Sequence, residues 1–150
     1  KQAIPTINQI KVHIGFTPIE IMEYCKENDI LIEAFSPNAT GKLFNYPEIM
    51  EMANKYNVTV PQLCIRYDLQ LGCIVLPKTT HEEYMIQNAD VNFEISEEDF
   101  AQTVMDYLLF EKKIDPKTFA DNITRKVLYS SAITQDRESI NINIKLPNNE

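Results

Sequence analysis

The stretch with the clearest chemical possibilities is Ile74-Val75-Leu76-Pro77-Lys78-Thr79-Thr80. It carries an ammonium and two hydroxyls from an apolar, strand-like run onto the start of an expected helix. The first amides of a helix are unpaired and carry partial positive charge. The combination suits a phosphate or the phosphorylated end of a nucleotide, and by itself it equally suits a solvated lysine beside a capping threonine. Other chemistries are poorly supplied. With only Gly15, Gly41 and Gly72, the chain has no glycine-rich phosphate loop. His13 and His81 lie far apart without a carboxylate or cysteine at ligand spacing, so no metal site is expected. Cys25, Cys64 and Cys73 are odd in number, form no CxxC pair and sit in apolar periodic surroundings; they are expected to be buried thiols.

These residues need elements to position them. A strand-like run from Ile4 to Val12 predicts a first strand, and Thr17-Pro18-Ile19-Glu20 reads as a capping box opening a helix from Pro18 to about Asn28. Ile30 to Phe35 is short, β-branched and stopped by Ser36-Pro37, as a buried strand would be. Ile49, Met52, Ala53 and Tyr56 recur at helical spacing. A second capping box at Thr59 and Gln62 starts a helix ending near Gly72, and Cys73 to Pro77 predicts a third strand. Thr80 with Glu83 repeats the capping pattern before a helix over about Glu82 to Ala89. Apolar strands alternating with helices indicate an α/β fold with a parallel sheet, in which Gln9, Phe35 and Lys78 fall at or near the face formed by the strand C-termini.

From Ser96 onward the pattern changes. Ser96 can cap a helix to about Glu111, Asp115-Pro116 can open another to about Ser130, and Ile140 to Leu146 alternates strictly, as a strand with one buried face does. The expected division is therefore 1–100 and a helical, then strand-like tail over 101–150.

Acidic residues outnumber basic ones by 22 to 14, giving a net charge of -8, and the basic residues are scattered. Such a field repels phosphate backbones and anionic lipid, so neither nucleic acid nor a membrane is expected as a partner. No apolar run reaches the length of a bilayer span and no signal-peptide pattern opens the chain, so a cytoplasmic location is expected. The chain starts at Lys1 and enters at once into a strand-like run, which reads as a piece of something longer.

Several segments taken together are more specific than any one. Leu76-Pro77-Lys78-Thr79 followed by Gln87-Asn88, with Ile7-Asn8-Gln9-Ile10-Lys11-Val12-His13 and Ala34-Phe35-Ser36-Pro37 before it in the expected order, resembles the aldo-keto reductases over about residues 1–100. The resemblance implies the last three β/α units of a TIM (β/α)8 barrel, with a divergent C-terminal extension. It implies an NAD(P)H-dependent reductase of aldehydes or ketones. In that family's pattern, Gln9 hydrogen-bonds the nicotinamide carboxamide, Phe35 stacks on the nicotinamide ring, and Ser36 and the backbone around Asn38 run along the pyrophosphate. Lys78 and Thr79 hold the adenosine 2′-phosphate, and Gln87 and Asn88 contact adenine. Tyr84 stands where many members carry an arginine, so NADPH is expected with NADH possible. The family's aspartate, tyrosine, lysine and histidine of catalysis belong to the first half of the barrel, so no catalytic residue is assigned here. The expectation is a cofactor-binding portion incomplete for catalysis, which self-associates or pairs with a missing half-barrel. The alternative is a non-catalytic cofactor- or partner-binding protein derived from such a reductase.

Overall fold

Three short strands alternate with helices along the computed structural model, which describes residues 3–103. The order is β1 (Ile7–Lys11), α1 (Ile19–Glu27), β2 (Leu31–Phe35), a 3-10 segment (Ala39–Asn45), α2 (Pro47–Lys55), α3 (Val60–Gln70), β3 (Ile74–Leu76) and α4 (Glu82–Ala89). A further helix starts at residue 97 and is described as far as 103. The rest of that helix, the helix expected after Asp115-Pro116 and the alternating segment Ile140 to Leu146 lie outside the described residues.

The strands form one parallel sheet in the order β1-β2-β3. Ile7 pairs with Leu31, Gln9 with Glu33 and Lys11 with Phe35; Glu33 then pairs with Ile74, and Phe35 with Leu76. Side chains alternate between the two faces of a strand. On β2, Ile32 and Ala34 are buried against the helices, where they join Val12, Met22, Cys25, Leu63 and Tyr67 in one core. The opposite face is bare. Leu31 is 52% exposed, Phe35 41%, Ile74 43% and Leu76 43%. Helices cover one face of the sheet, as expected of an apolar parallel sheet. Among the described residues nothing covers the other.

Local chemistry explains where the helices start and stop. At α3 the Thr59 hydroxyl accepts from the Gln62 amide and the Gln62 side chain accepts from the Thr59 amide, completing the expected capping box. Gly72 follows with φ 79°, a left-handed conformation that glycine adopts without strain, and its amide reaches Leu69. Thr59→Ala removes the side-chain half of this box. It should lower stability by about 1 kcal/mol, read as a lower urea midpoint with an unchanged slope.

Two other expected caps fail. The Thr17 hydroxyl hydrogen-bonds the hydroxyl of Tyr67 at 3.0 Å, and α1 has Pro18 as its cap with no side-chain bond. Tyr67 is fully buried and its polar tip needs a partner, so Thr17 serves α3 rather than its own helix. At α4 the cap is His81, and the amide of His81 donates to the Thr79 hydroxyl, leaving Thr80 without the predicted role. Ser96 does cap: its hydroxyl accepts from the Asp99 amide at 3.2 Å.

Asp99 ties this last helix to α2. Its carboxylate accepts from Lys55 Nζ at 2.7 Å and from the Tyr56 hydroxyl at 2.5 Å, while the Ser96 amide donates to that same hydroxyl. Burial works to raise the Asp99 pKa, but the bonds from Lys55, Tyr56 and Ser96 outweigh it and hold the group below the usual carboxylate range. Phe100 stacks on Tyr67 with ring centroids 4.4 Å apart.

All three cysteines are buried and free, as expected. Desolvation pushes the Cys73 thiol up to about 12, helped by the charge of Asp68, so it is a poor nucleophile at neutral pH. Asp68 itself is fully buried on α3, and neither carboxylate oxygen has a hydrogen-bond partner among the described residues. Desolvation drives its pKa well above the ordinary value.

A cavity at the strand C-termini, the candidate functional site

Beyond β2 the chain turns sharply. Ser36, Ala39 and Thr40 all have positive φ, as does Gly41 at 85°. For a β-branched residue such as Thr40 this conformation is strained, and strain of this kind persists only where the surroundings over-determine it. Here the surroundings are α2 and α3, which pack on the 3-10 segment and bury Ala39 and Leu43. The strained segment forms one wall of a cavity of about 830 Å³.

Three other pieces of chain complete the cavity. The first turn of α3 supplies Thr59, Val60 and Pro61; the end of β3 supplies Leu76, Lys78 and Thr79; α4 supplies Tyr84, Gln87 and Asn88. The loop after β2 contributes Ser36, Asn38, Thr40, Gly41 and Phe44. Six of the eight residues singled out in the sequence therefore line one space: Ser36, Asn38, Lys78, Thr79, Gln87 and Asn88. Gln9 and Phe35 do not line it. Both lie on the bare face of the sheet, Phe35 in register with Leu76, which itself lines the cavity.

The cavity can be described chemically. Lys78 is exposed and has no ion-pair partner among the described residues, so its charge is available. Thr79 is held in the turn by the His81 amide. Asn38 has a side-chain oxygen that is buried without a hydrogen-bond partner among the described residues, an arrangement that costs free energy unless something donates to it. Tyr84 adds an aromatic wall, its ring centroid 5.3 Å from that of His81. Together these give one cation, hydroxyl and amide groups, an unsatisfied acceptor and apolar surface, the mixture that small-molecule sites use. Thr40, Phe44 and the start of α3 are lining residues that the sequence reading missed. The Thr59 capping box locates a helix start, but only tertiary packing brings that start beside Lys78.

The histidines have structural surroundings. His13 is buried with Nδ1 2.7 Å from the Ile14 carbonyl oxygen, and its ring lies against Phe16. His81 is exposed with Glu83 3.6 Å away. Among the described residues no group of His, Cys, Asp and Glu could hold a metal ion, and no helix is long and apolar enough to cross a membrane.

Residues 1–104 match the model of the Aldo/keto reductase family. The chain is 36% identical over 113 residues to glyoxal reductase of Bacillus subtilis (strain 168), an alignment covering 75% of this chain and 40% of that protein. It is 35% identical over 101 residues to an aldehyde reductase of Saccharomyces cerevisiae, covering 66% and 32%. Among solved structures, a mutant of Gox0644 in complex with NADPH superposes with a TM-score of 0.64 at 30% identity, covering 68% of this chain and 38% of that one. A Bombyx mori aldo-keto reductase in complex with NADP gives 0.64 at 28% identity, covering 71% and 38%. The chain thus spans about two fifths or less of the relatives it matches. By motif order, by parallel β/α architecture and by family model over more than half its length, the chain belongs to the aldo/keto reductase family.

Proposed function

We propose that this chain is the C-terminal, cofactor-binding portion of an NAD(P)H-dependent carbonyl reductase of the (β/α)8 barrel type, incomplete for catalysis by itself. Residues 1–100 carry the reductase portion, and 101–150 form a tail with no role in this reading. The observation that carries it is the convergence of Ser36, Asn38, Lys78, Thr79, Gln87 and Asn88 on one cavity at the C-terminal end of a parallel sheet, where ligands of such folds bind.

The residues fit the cofactor. In this reading Lys78 and Thr79 hold the 2′-phosphate, Gln87 and Asn88 contact adenine, and Ser36 with the backbone at Asn38 lies along the pyrophosphate. The Asn38 oxygen, without a partner among the described residues, is an acceptor that a ligand donor would satisfy. Phe35 and Gln9, on the bare face, meet the nicotinamide. Phe35 keeps the π face that stacking requires. Tyr84 offers no fixed cationic fork, so selectivity for NADPH over NADH rests on Lys78. The nicotinamide, when bound, supplies the hydride for an aldehyde or ketone. Such a reduction also needs a proton donor at the carbonyl oxygen, and no described residue is assigned that task. The bare apolar face and the two sheet edges support self-association or pairing with further strands of a barrel. The buried, free cysteines suit the cytoplasm.

Titration of the full chain with NADPH and with NADH, followed by nicotinamide fluorescence, tests this reading. Saturable binding is expected, with no oxidation of NADPH above background across a panel of aldehydes and ketones. Absence of binding sinks the assignment of the cavity, whereas turnover that survives stringent purification sinks the claim of incompleteness.

A further inference from the structure

Gln9 and Glu33 face each other across β1 and β2, paired in register on the bare side of the sheet. The Gln9 side-chain nitrogen donates to Glu33 Oε1 at 3.2 Å. An ionised carboxylate can only accept, whereas an amide offers a donor end and an acceptor end. The nitrogen of Gln9 must therefore be the end turned toward Glu33. By register, the other neighbours of this pair on the same face are Ile7, Lys11, Leu31, Phe35 and Ile74. Of these only Lys11 is polar, and its ammonium lies 5.2 Å from the centre of the Phe16 ring.

We infer that Glu33 is a positioning residue. By holding the Gln9 nitrogen it leaves the Gln9 oxygen as the free end, so the site at Gln9 takes a ligand group that presents an N–H donor, a carboxamide, in preference to an isostere presenting only an acceptor. This rests on the reading of Gln9 as a cofactor contact, but the orientation of the amide does not. Glu33→Gln removes the constraint, because a second amide can pair with Gln9 in either sense and Gln9 becomes free to turn over.

Two measurements on the full chain separate the parts. The first compares NADP with its 3-acetylpyridine analogue, in which a methyl group replaces the amide nitrogen and no charge is altered. The original chain should prefer NADP by about fivefold, the worth of one neutral hydrogen bond, and in Glu33→Gln the preference should fall below about twofold. An equal preference in both chains overturns the inference. The second needs no cofactor: the side-chain NH2 protons of Gln9, assigned by their loss in Gln9→Ala, are followed by NMR as the pH is lowered through the carboxylate range. They should shift in the original chain and stay still in Glu33→Gln. Protons that do not respond in the original chain, or respond alike in both, overturn the positioning role. If neither nucleotide binds, the proposed function fails while the NMR result still decides the role of Glu33.

Discussion

Replacing Lys78 by alanine should weaken NADPH binding by about 10- to 100-fold, the range expected for charge-assisted hydrogen bonds to a phosphate, while NADH binding changes by less than about twofold. The difference arises because NADH lacks the 2′-phosphate that Lys78 is proposed to meet. Lys78 is exposed at the cavity wall and has no ion-pair partner among the described residues, so its removal leaves no buried charge behind and should not disturb the fold. Both affinities are best measured at one fixed ionic strength, since screening weakens an exposed phosphate contact. Comparable losses for the two cofactors would show that Lys78 does not touch the 2′-phosphate. With Tyr84 in place of the family's frequent arginine, no second cation among the described residues lines the cavity to mask the effect.

The second large effect concerns stability. Asp68 is buried without a hydrogen-bond partner among the described residues, and desolvation raises its pKa well above the ordinary carboxylate value. A raised carboxyl pKa means that the folded chain holds a proton which the unfolded chain, with its pKa near 4, releases. The associated stability is fully present below the unfolded pKa and is lost as the pH climbs from there toward the raised folded pKa. Asp68→Asn keeps the shape and stays neutral throughout. The two proteins should therefore be similarly stable near pH 3 and diverge as the pH rises, with the variant ahead by about 2 kcal/mol or more at pH 7, since several kcal/mol is typical for an unpaired buried charge. Urea unfolding of both proteins at a series of pH values measures this. A constant difference, or a variant that is weaker at neutral pH, would show that Asp68 has a partner or stays ionised. Asp99 acts in the opposite sense: its lowered pKa supplies stability above the unfolded pKa that disappears as the pH falls.

The contrast between these two aspartates shows where sequence stops being informative. The elements were legible: β-branched runs gave β1, β2 and β3 within a few residues, and helical spacing with Gln62 and Gly72 gave α2 and α3. These signals are local. Six residues that line the cavity were legible too, through motifs that persist in order along the chain. The failures are tertiary. Thr17 and Thr80 both look like caps because a hydroxyl precedes a helix, yet Thr17 is claimed by the buried hydroxyl of Tyr67, fifty residues away. The same distance problem hides Thr59 and Pro61 from any account of the cavity, and hides the different surroundings of Asp68 and Asp99. Nor does a run such as Ile30 to Phe35 reveal whether one face or both are covered, because apolar residues occupy both.

A sheet covered on one face among the described residues bears on how copies of the chain are expected to meet. Among the described residues, Leu31, Phe35, Ile74 and Leu76 form an adhesive surface, and β1 and β3 each present an unpaired backbone edge that another strand could extend. Against this stands the net charge of -8, whose repulsion reaches only about 8 Å at physiological ionic strength. Short-range stickiness and longer-range repulsion together set a colloidal balance that salt shifts in one direction. The expected result is that dilute, low-salt solutions keep copies apart and that concentration or added salt raises the mass seen by light scattering.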